Sequence, residues 1–340
     1  MDHINNLILN NEDCDKSQKE KVIPPYPPNT SPLLHQVAGH FHGKGKTGLG
    51  LLKHDQGPVL KPFQTSSRGE NENHFYATVF DDKSHHDEII LSLRRFIPRY
   101  FGVEKIEIDR MTVNFIKLED ITTNYEKPCI LDIKIGKESY EPGAPSHKVC
   151  YEKSKYPLLE CIGIRILGMR VYNYKTKTYE FYDKEYGKSL TEDQIMQCLE
   201  KYVSSVDNNP DIKTQLIHGF LSQLVDVKDW FSRQNKFRFY ASSLLFVYDS
   251  HECYSNGTLD IVNRNGDYHS SPQHNLTSYN PNIKSKNIKC DIKMIDFTHV
   301  TSMHHDFLDQ KNNLQSQFRD DNYLFGLNYL LKIFENLLIL

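Results

Sequence analysis

The sequence predicts an α+β fold divided into two lobes. Alternating strands occupy the early and middle parts of the chain, a helical block follows, and strands return late, an order unlike that of repeated strand–helix–strand units. A length of 340 residues exceeds one minimal core and suits two lobes that each bury their own apolar surface. The clearest single element is Pro128 to Gly136, P-C-I-L-D-I-K-I-G. Its alternation places Asp132 and Lys134 on one face and Leu131, Ile133 and Ile135 on the other.

The elements follow in order. Gly57 to Phe63 reads as a short strand with Val59, Lys61 and Phe63 on one face, and Pro62 suggests a sheet edge. Glu70 to Phe80 has a helical mixture of charged and apolar residues, and Glu88 to Tyr100 reads as a second helix whose end Pro98 marks. Thr112 to Ile121 alternates as a strand into an acidic turn, and Cys161 to Tyr182 is rich in branched and aromatic strand formers. After Gly187 the period changes. Thr191 and Gln194 have capping-box spacing ahead of Ile195, Leu199 and Tyr202 or Val203. Ile212 to Phe231 is a longer helix whose stripe of Leu216, Phe220, Leu224, Val227 and Phe231 is assigned to core. Ala241 to Tyr248 and Cys290 to Phe297 are the last strands, and Tyr323 to Leu340 is a packed terminal helix, too interrupted by Asn328, Lys332, Glu335 and Asn336 to span a membrane.

Composition bounds the function. The formal net charge of −3 excludes a general nucleic-acid coat, which needs many lysines and arginines to neutralise phosphates, but allows a local patch for a compact polyanion. Seven cysteines with no C-x-x-C spacing and no secretory signal ahead of them suggest reduced thiols in the cytosol or nucleus. Residues 1–32, polar and then proline-rich, are expected to form a disordered tail, and about 250–289 a flexible insertion. The remaining 33–340 forms the folded domain, with lobes at about 33–121 and 122–340, and is expected to be a monomer.

Three separated items share a chemistry. Lys61 lies on an early strand, Asp132 and Lys134 lie about 6.6 Å apart in the middle, and Asp296 ends an apolar late strand. An ATP-dependent phosphotransferase needs a lysine on the nucleotide phosphates, a carboxylate at a strand end for Mg²⁺, and a further cation where the phosphoryl group moves. Gly136 lets backbone approach a ligand or bend out of the strand, and a basic lane follows at Lys137, Lys148, Lys153 and Lys155.

With these residues the sequence resembles the inositol polyphosphate kinases, most nearly their multikinase branch. The family's P-x-x-x-D-x-K-x-G motif is matched at Pro128, Asp132, Lys134 and Gly136, its S-S-L-L-F segment at Ser242 to Phe246, and its I-D-F segment at Ile295 to Phe297. The likeness continues through H-Q-V-A-G-H (His35 to His40), I-K-L-E-D-I (Ile116 to Ile121), S-K-Y-P-L (Ser154 to Leu158) and L-G-M-R-V-Y (Leu167 to Tyr172). The resemblance implies a two-lobed fold distantly like that of protein kinases, with ATP and Mg²⁺ as cofactors and inositol tris- and tetrakisphosphates as acceptors. Phosphoinositide lipid headgroups are further candidate ligands.

By the same resemblance, adenine would meet the backbone of Glu119 and Ile121. Lys61 would contact the nucleotide phosphates, Asp132 the ribose, and Asp296 the metal. Lys134 would stand where γ-phosphate and acceptor meet, and Arg68, Lys148, Lys153, Lys155, Lys184 and His299 would line the inositol phosphate pocket. Where the family's animal multikinases have glutamines, this chain has Tyr151 and Glu152. Glu152 is therefore expected either to point away from the ligand or to narrow substrate choice, with Lys184, also at a glutamine position, adding a compensating charge. Rival readings are a hexakisphosphate kinase, since the core motifs are shared, and a non-catalytic binding scaffold.

Some patterns are set aside. Gly43, Gly45 and Gly48 spell G-x-G-x-x-G beside Lys46 and Thr47, but a P-loop would need glycine at position 40, where the chain has His40. His304, His305 and Asp306 read as a polar surface segment rather than a metal site, and Arg165 and Arg170 as decoration of a sheet face.

Overall fold

The computed structural model describes residues 26–43, 48–64, 67–108, 110–204, 210–251, 288–302 and 319–339. Most of the expected tail and insertion, the Lys46–Thr47 pair and His304 to Asp306 lie outside them. Two five-stranded sheets dominate. The first contains β1 (Thr30–Pro32), β2 (Leu52–His54), β3 (Val59–Pro62), β4 (Tyr100–Ile108) and β5 (Met111–Leu118) in the order β1-β2-β3-β5-β4. The second contains β6 (Pro128–Ile135), β7 (Ile164–Asn173), β8 (Thr178–Tyr182), β10 (Ser243–Asp249) and β11 (Cys290–Ile295) in the order β11-β10-β6-β7-β8. A two-stranded ribbon pairs β9 (Phe237–Phe239) with β12 (Val300–Ser302).

Two expectations are corrected. β3 is an interior strand, not an edge. Pro62 is tolerated because the β2 register stops at Leu52↔Leu60, so the missing N–H falls past that pairing. The helix expected to reach Tyr100 is shorter: α2 (Glu88–Leu93) passes into a single 3₁₀ turn at Arg94–Phe96. Ile97, preceding Pro98, is driven to extended backbone at φ −124° and ψ 155°. From Tyr100 the chain is already β4, a strand hidden by its own pattern because the apolar Phe101 and Val103 lie on its exposed face.

Helix α1 (Ser67–Phe80) joins the sheets through Phe75, Tyr76 and Val79, which share one core with β5 and β6. Helices α3 (Ser146–Lys155) and α4 (Leu159–Ile162) fill the β6–β7 connection. After α5 (Lys184–Ser189), α6 (Glu192–Val203) opens on the expected capping box, in which Thr191 N–H donates to Gln194 at 2.9 Å. Helix α7 (Pro210–Arg233) buries its whole expected stripe. The C-terminal helix α8 (Asp321–Asn336) packs beside it, with Tyr323 stacked on Phe231 at 4.0 Å. Gly136 has φ +97°, and a Cβ there would meet Asn322 Nδ2 at 2.7 Å. Asn322 in turn accepts the Glu138 N–H at 2.8 Å, so the backbone's close neighbour at this glycine is α8, which fixes the exit from β6.

Phe297 anchors the end of β11. It is fully buried, 4.4 Å from Phe75 and 5.3 Å from Tyr76 between ring centroids, and its N–H donates to Glu72 Oε1 at 3.0 Å. Phe297→Ala removes the ring from an aromatic cluster that cannot collapse around the gap. It should lower unfolding free energy by about 3–5 kcal/mol, read from the urea midpoint at constant slope; a change under about 1 kcal/mol would show that the cluster does not hold this turn.

Candidate active site

A cleft opens between the two sheets, enclosing about 790 Å³ with the open solvent at its mouth included. Leu51, Val59 and Leu118 form one wall, and Ile130, Leu245 and Ile295 the other. Residues 33–38 cross between them, with Val37 packed on Ile130 and Val247. Gly168 on β7 admits this crossing, since a Cβ there would sit 2.1 Å from the Val37 carbonyl oxygen. Glu119 and Ile121 lie on the cleft just past β5. The Glu119 N–H is already donated to the Arg99 carbonyl at 2.8 Å, so a base meeting this residue would use its carbonyl oxygen.

Lys61, on β3, projects between two carboxylates. Its ammonium donates to Glu72 Oε1 at 2.7 Å and to Asp296 Oδ1 at 2.5 Å. Burial alone would lower its pKa, but the facing Asp296 and Glu72 outweigh burial and hold it above the ordinary lysine value. Asp296 responds in the opposite sense: burial would raise it, and Lys61 holds it low. Its backbone lies at φ +64°, a left-handed conformation that aspartate tolerates better than most residues. Glu72, 1% exposed on α1, went unnoticed in the sequence because nothing in S-R-G-E-N-E-N-H distinguishes it from Glu70. It binds both Lys61 and the Phe297 N–H, tying strand, helix and metal-candidate turn together.

On β6, Asp132 and Lys134 face this cluster. Burial, and then the nearby Asp296 charge, lift the Asp132 carboxyl to about 7. Its Oδ1 is buried with no hydrogen-bond partner among the described residues. Burial, and then the positive Arg165, lower Lys134 to about 8. Arg165 therefore belongs beside the site: it lies opposite Lys134 in the β6–β7 register, half-buried rather than standing on an open sheet face. Arg170 is structural, donating to the Leu34 carbonyl and lying 3.7 Å over the Tyr179 ring. The donor set fits Mg²⁺. Asp296, at the strand end on the cleft, offers hard carboxylate oxygens, and among the described residues no cluster of three or more potential ligands forms a closed cage. Mg²⁺ is commonly held by one or two carboxylates with phosphates and waters completing its shell.

Three of the basic lane's four lysines lie on α3 and are ion-paired, while Lys137, just past β6, lies 5.7 Å over the Phe325 ring. Lys148 meets Glu141 at 3.0 Å, Lys153 meets Glu160 at 2.5 Å, and Lys155 meets Glu152 at 2.6 Å. His299 also bonds Glu141, whose carboxyl is held down to about 2, first by that bond. The charge facing Glu152 thus comes from Lys155, not from Lys184, which stands exposed at the start of α5. Arg68 is exposed in the first turn of α1.

The inositol polyphosphate kinase family model matches residues 115–335. The mouse inositol polyphosphate multikinase is 41% identical over 218 residues, 64% of this chain and 53% of that protein. Human inositol hexakisphosphate kinase 1 is 30% identical over 255 residues, 67% of this chain and 54% of that protein. The chain thus spans about half the length of these mammalian relatives. A crystal structure of the S. cerevisiae inositol phosphate multikinase Ipk2 in complex with ADP and Mn²⁺ superposes with a TM-score of 0.58 at 22% identity, covering 83% of this chain and 99% of that one, a likeness of fold. On the family match across most of its folded length, the chain belongs to the inositol polyphosphate kinase family.

Proposed function

We propose that the chain is an ATP- and Mg²⁺-dependent inositol polyphosphate kinase of the multikinase type, transferring the γ-phosphoryl group to hydroxyls of inositol tris- and tetrakisphosphates. The observation that carries this reading is the convergence of Lys61, Asp132 and Asp296 in one cleft, from three strands or strand ends, with Lys134 beside Asp132 on β6, within reach of the charges of Asp296 and of Glu152 and Lys155 on α3. Asp296 would hold Mg²⁺, which would supply positive charge to offset that of the nucleotide phosphates. Lys61 would exchange one carboxylate partner for the nucleotide phosphates while Glu72 keeps its position. Asp132 would accept from the ribose hydroxyls, and Lys134 would meet the charge on the moving phosphoryl group. Such catalysis consists mainly of positioning and charge neutralisation. The greater identity to the multikinase than to the hexakisphosphate kinase favours the less phosphorylated acceptors. No disulfide joins the described cysteines, in keeping with a cytosolic or nuclear setting.

The direct test is incubation with ATP, Mg²⁺ and separate inositol tris-, pentakis- and hexakisphosphates, with products resolved by anion exchange. Conversion of the trisphosphate toward pentakisphosphate is expected. Conversion of hexakisphosphate alone would identify the rival kinase, and binding without turnover would identify a scaffold. Asp296→Asn should abolish Mg²⁺-dependent turnover while leaving the circular dichroism spectrum intact, because asparagine also tolerates the left-handed backbone; retained turnover would remove Asp296 from the metal site.

The pH profile tests Lys134. Its charged form is the one that neutralises phosphate, and its pKa near 8 should make kcat/KM fall above about pH 8. Arg165 lowers that pKa, so Arg165→Met should move the alkaline limb to higher pH, whatever it does to the maximum. A limb that stays in place would separate Lys134 from the rate-controlling charge.

A further inference from the structure

The lane that would receive the acceptor's phosphates is matched almost charge for charge by carboxylates. Glu141 comes from the loop before α3, Glu152 from α3 itself, and Glu160 from α4. Each holds one lane lysine, and Glu141 holds His299 as well. None of the three is needed to fold α3, a helix with no buried residue, and surface pairs of this kind add little stability. Glu152 is the innermost. Its side chain is only 18% exposed, and its charge acts on both Lys134 and Arg165.

We infer that Glu152, supported by Glu160 and Glu141, is a specificity-determining residue that limits how many phosphates the acceptor may carry. The physical argument is one of repulsion. A ligand phosphate that approaches Lys155 or Lys153 also approaches the carboxylate already bound there, so each added phosphate gains less attraction and meets more like charge. Selectivity built from a repulsive element falls most heavily on the most highly charged competitor. A trisphosphate can place groups against Lys134 and Arg165 and meet a single lysine–glutamate pair; a hexakisphosphate must meet several. This inference rests on the acceptor reading above.

The test is isothermal titration of the full-length protein, with the Mg²⁺–ADP complex present, using inositol trisphosphate and inositol hexakisphosphate as separate titrants at two salt concentrations. Wild type should prefer the trisphosphate. Glu152→Gln, which keeps size and hydrogen-bonding capacity, should tighten hexakisphosphate binding by about tenfold and trisphosphate binding by less than about threefold, with a steeper salt dependence for the former. Glu160→Gln, at a half-exposed position where folding is not at stake, should act in the same direction but more weakly. Equal changes for both ligands, or none, would overturn the inference and leave the acceptor reading standing. Failure of wild type to bind either ligand would overturn both.

Discussion

A lysine held between one buried and one partly exposed carboxylate organises this molecule. Lys61 comes from the first sheet, Asp296 from the end of the second, and Glu72 from the helix between them. Unpaired, the buried charge of Lys61 or Glu72 would be costly; together with Asp296 they satisfy one another and draw the two sheets toward a common point. The aromatic cluster around Phe297 sits directly behind, so the apolar packing and the charge cluster fix the same turn. The cleft exists because this joint holds the sheets together at its floor and leaves its upper walls apart.

From that joint follows the divergence of two neighbours on β6. Asp132 and Lys134 share a face of the strand, Asp132 the more enclosed, and burial drives both toward their neutral forms from opposite directions. Groups poised near neutrality in a dry cleft respond strongly to an arriving phosphate or metal, which restores the charge that burial discourages. The outer lane follows a different rule. Its α3 lysines are half-buried or exposed and already paired, so their contribution lies in discrimination and orientation more than in raw attraction.

Much of this was legible in the sequence. The β6 alternation, the α7 stripe and the Thr191–Gln194 cap are local patterns, and the structure realises each of them. What escaped reading depended on residues distant in the chain. Glu72 resembles any helical glutamate until Lys61 and Phe297 arrive from elsewhere. Arg165 resembles a sheet-face residue until β7 is registered against β6. Strand β4 was hidden because its exposed face carries Phe101 and Val103 while its inner face carries Gly102 and Glu104, reversing the usual hydrophobic code. Gly136 was legible as a bend, but its close neighbour, Asn322, lies nearly two hundred residues away.

The measurement that bears most directly on this account is a double-mutant cycle on kcat/KM for ATP, using Lys61→Met, Glu72→Gln and the pair. If Glu72 acts by holding Lys61, the losses will be strongly non-additive, with a coupling energy of about 1–3 kcal/mol and the double variant scarcely worse than Lys61→Met alone. Losses that add to within about 0.5 kcal/mol would mean that the two residues serve separate purposes, and the joint would no longer explain the site.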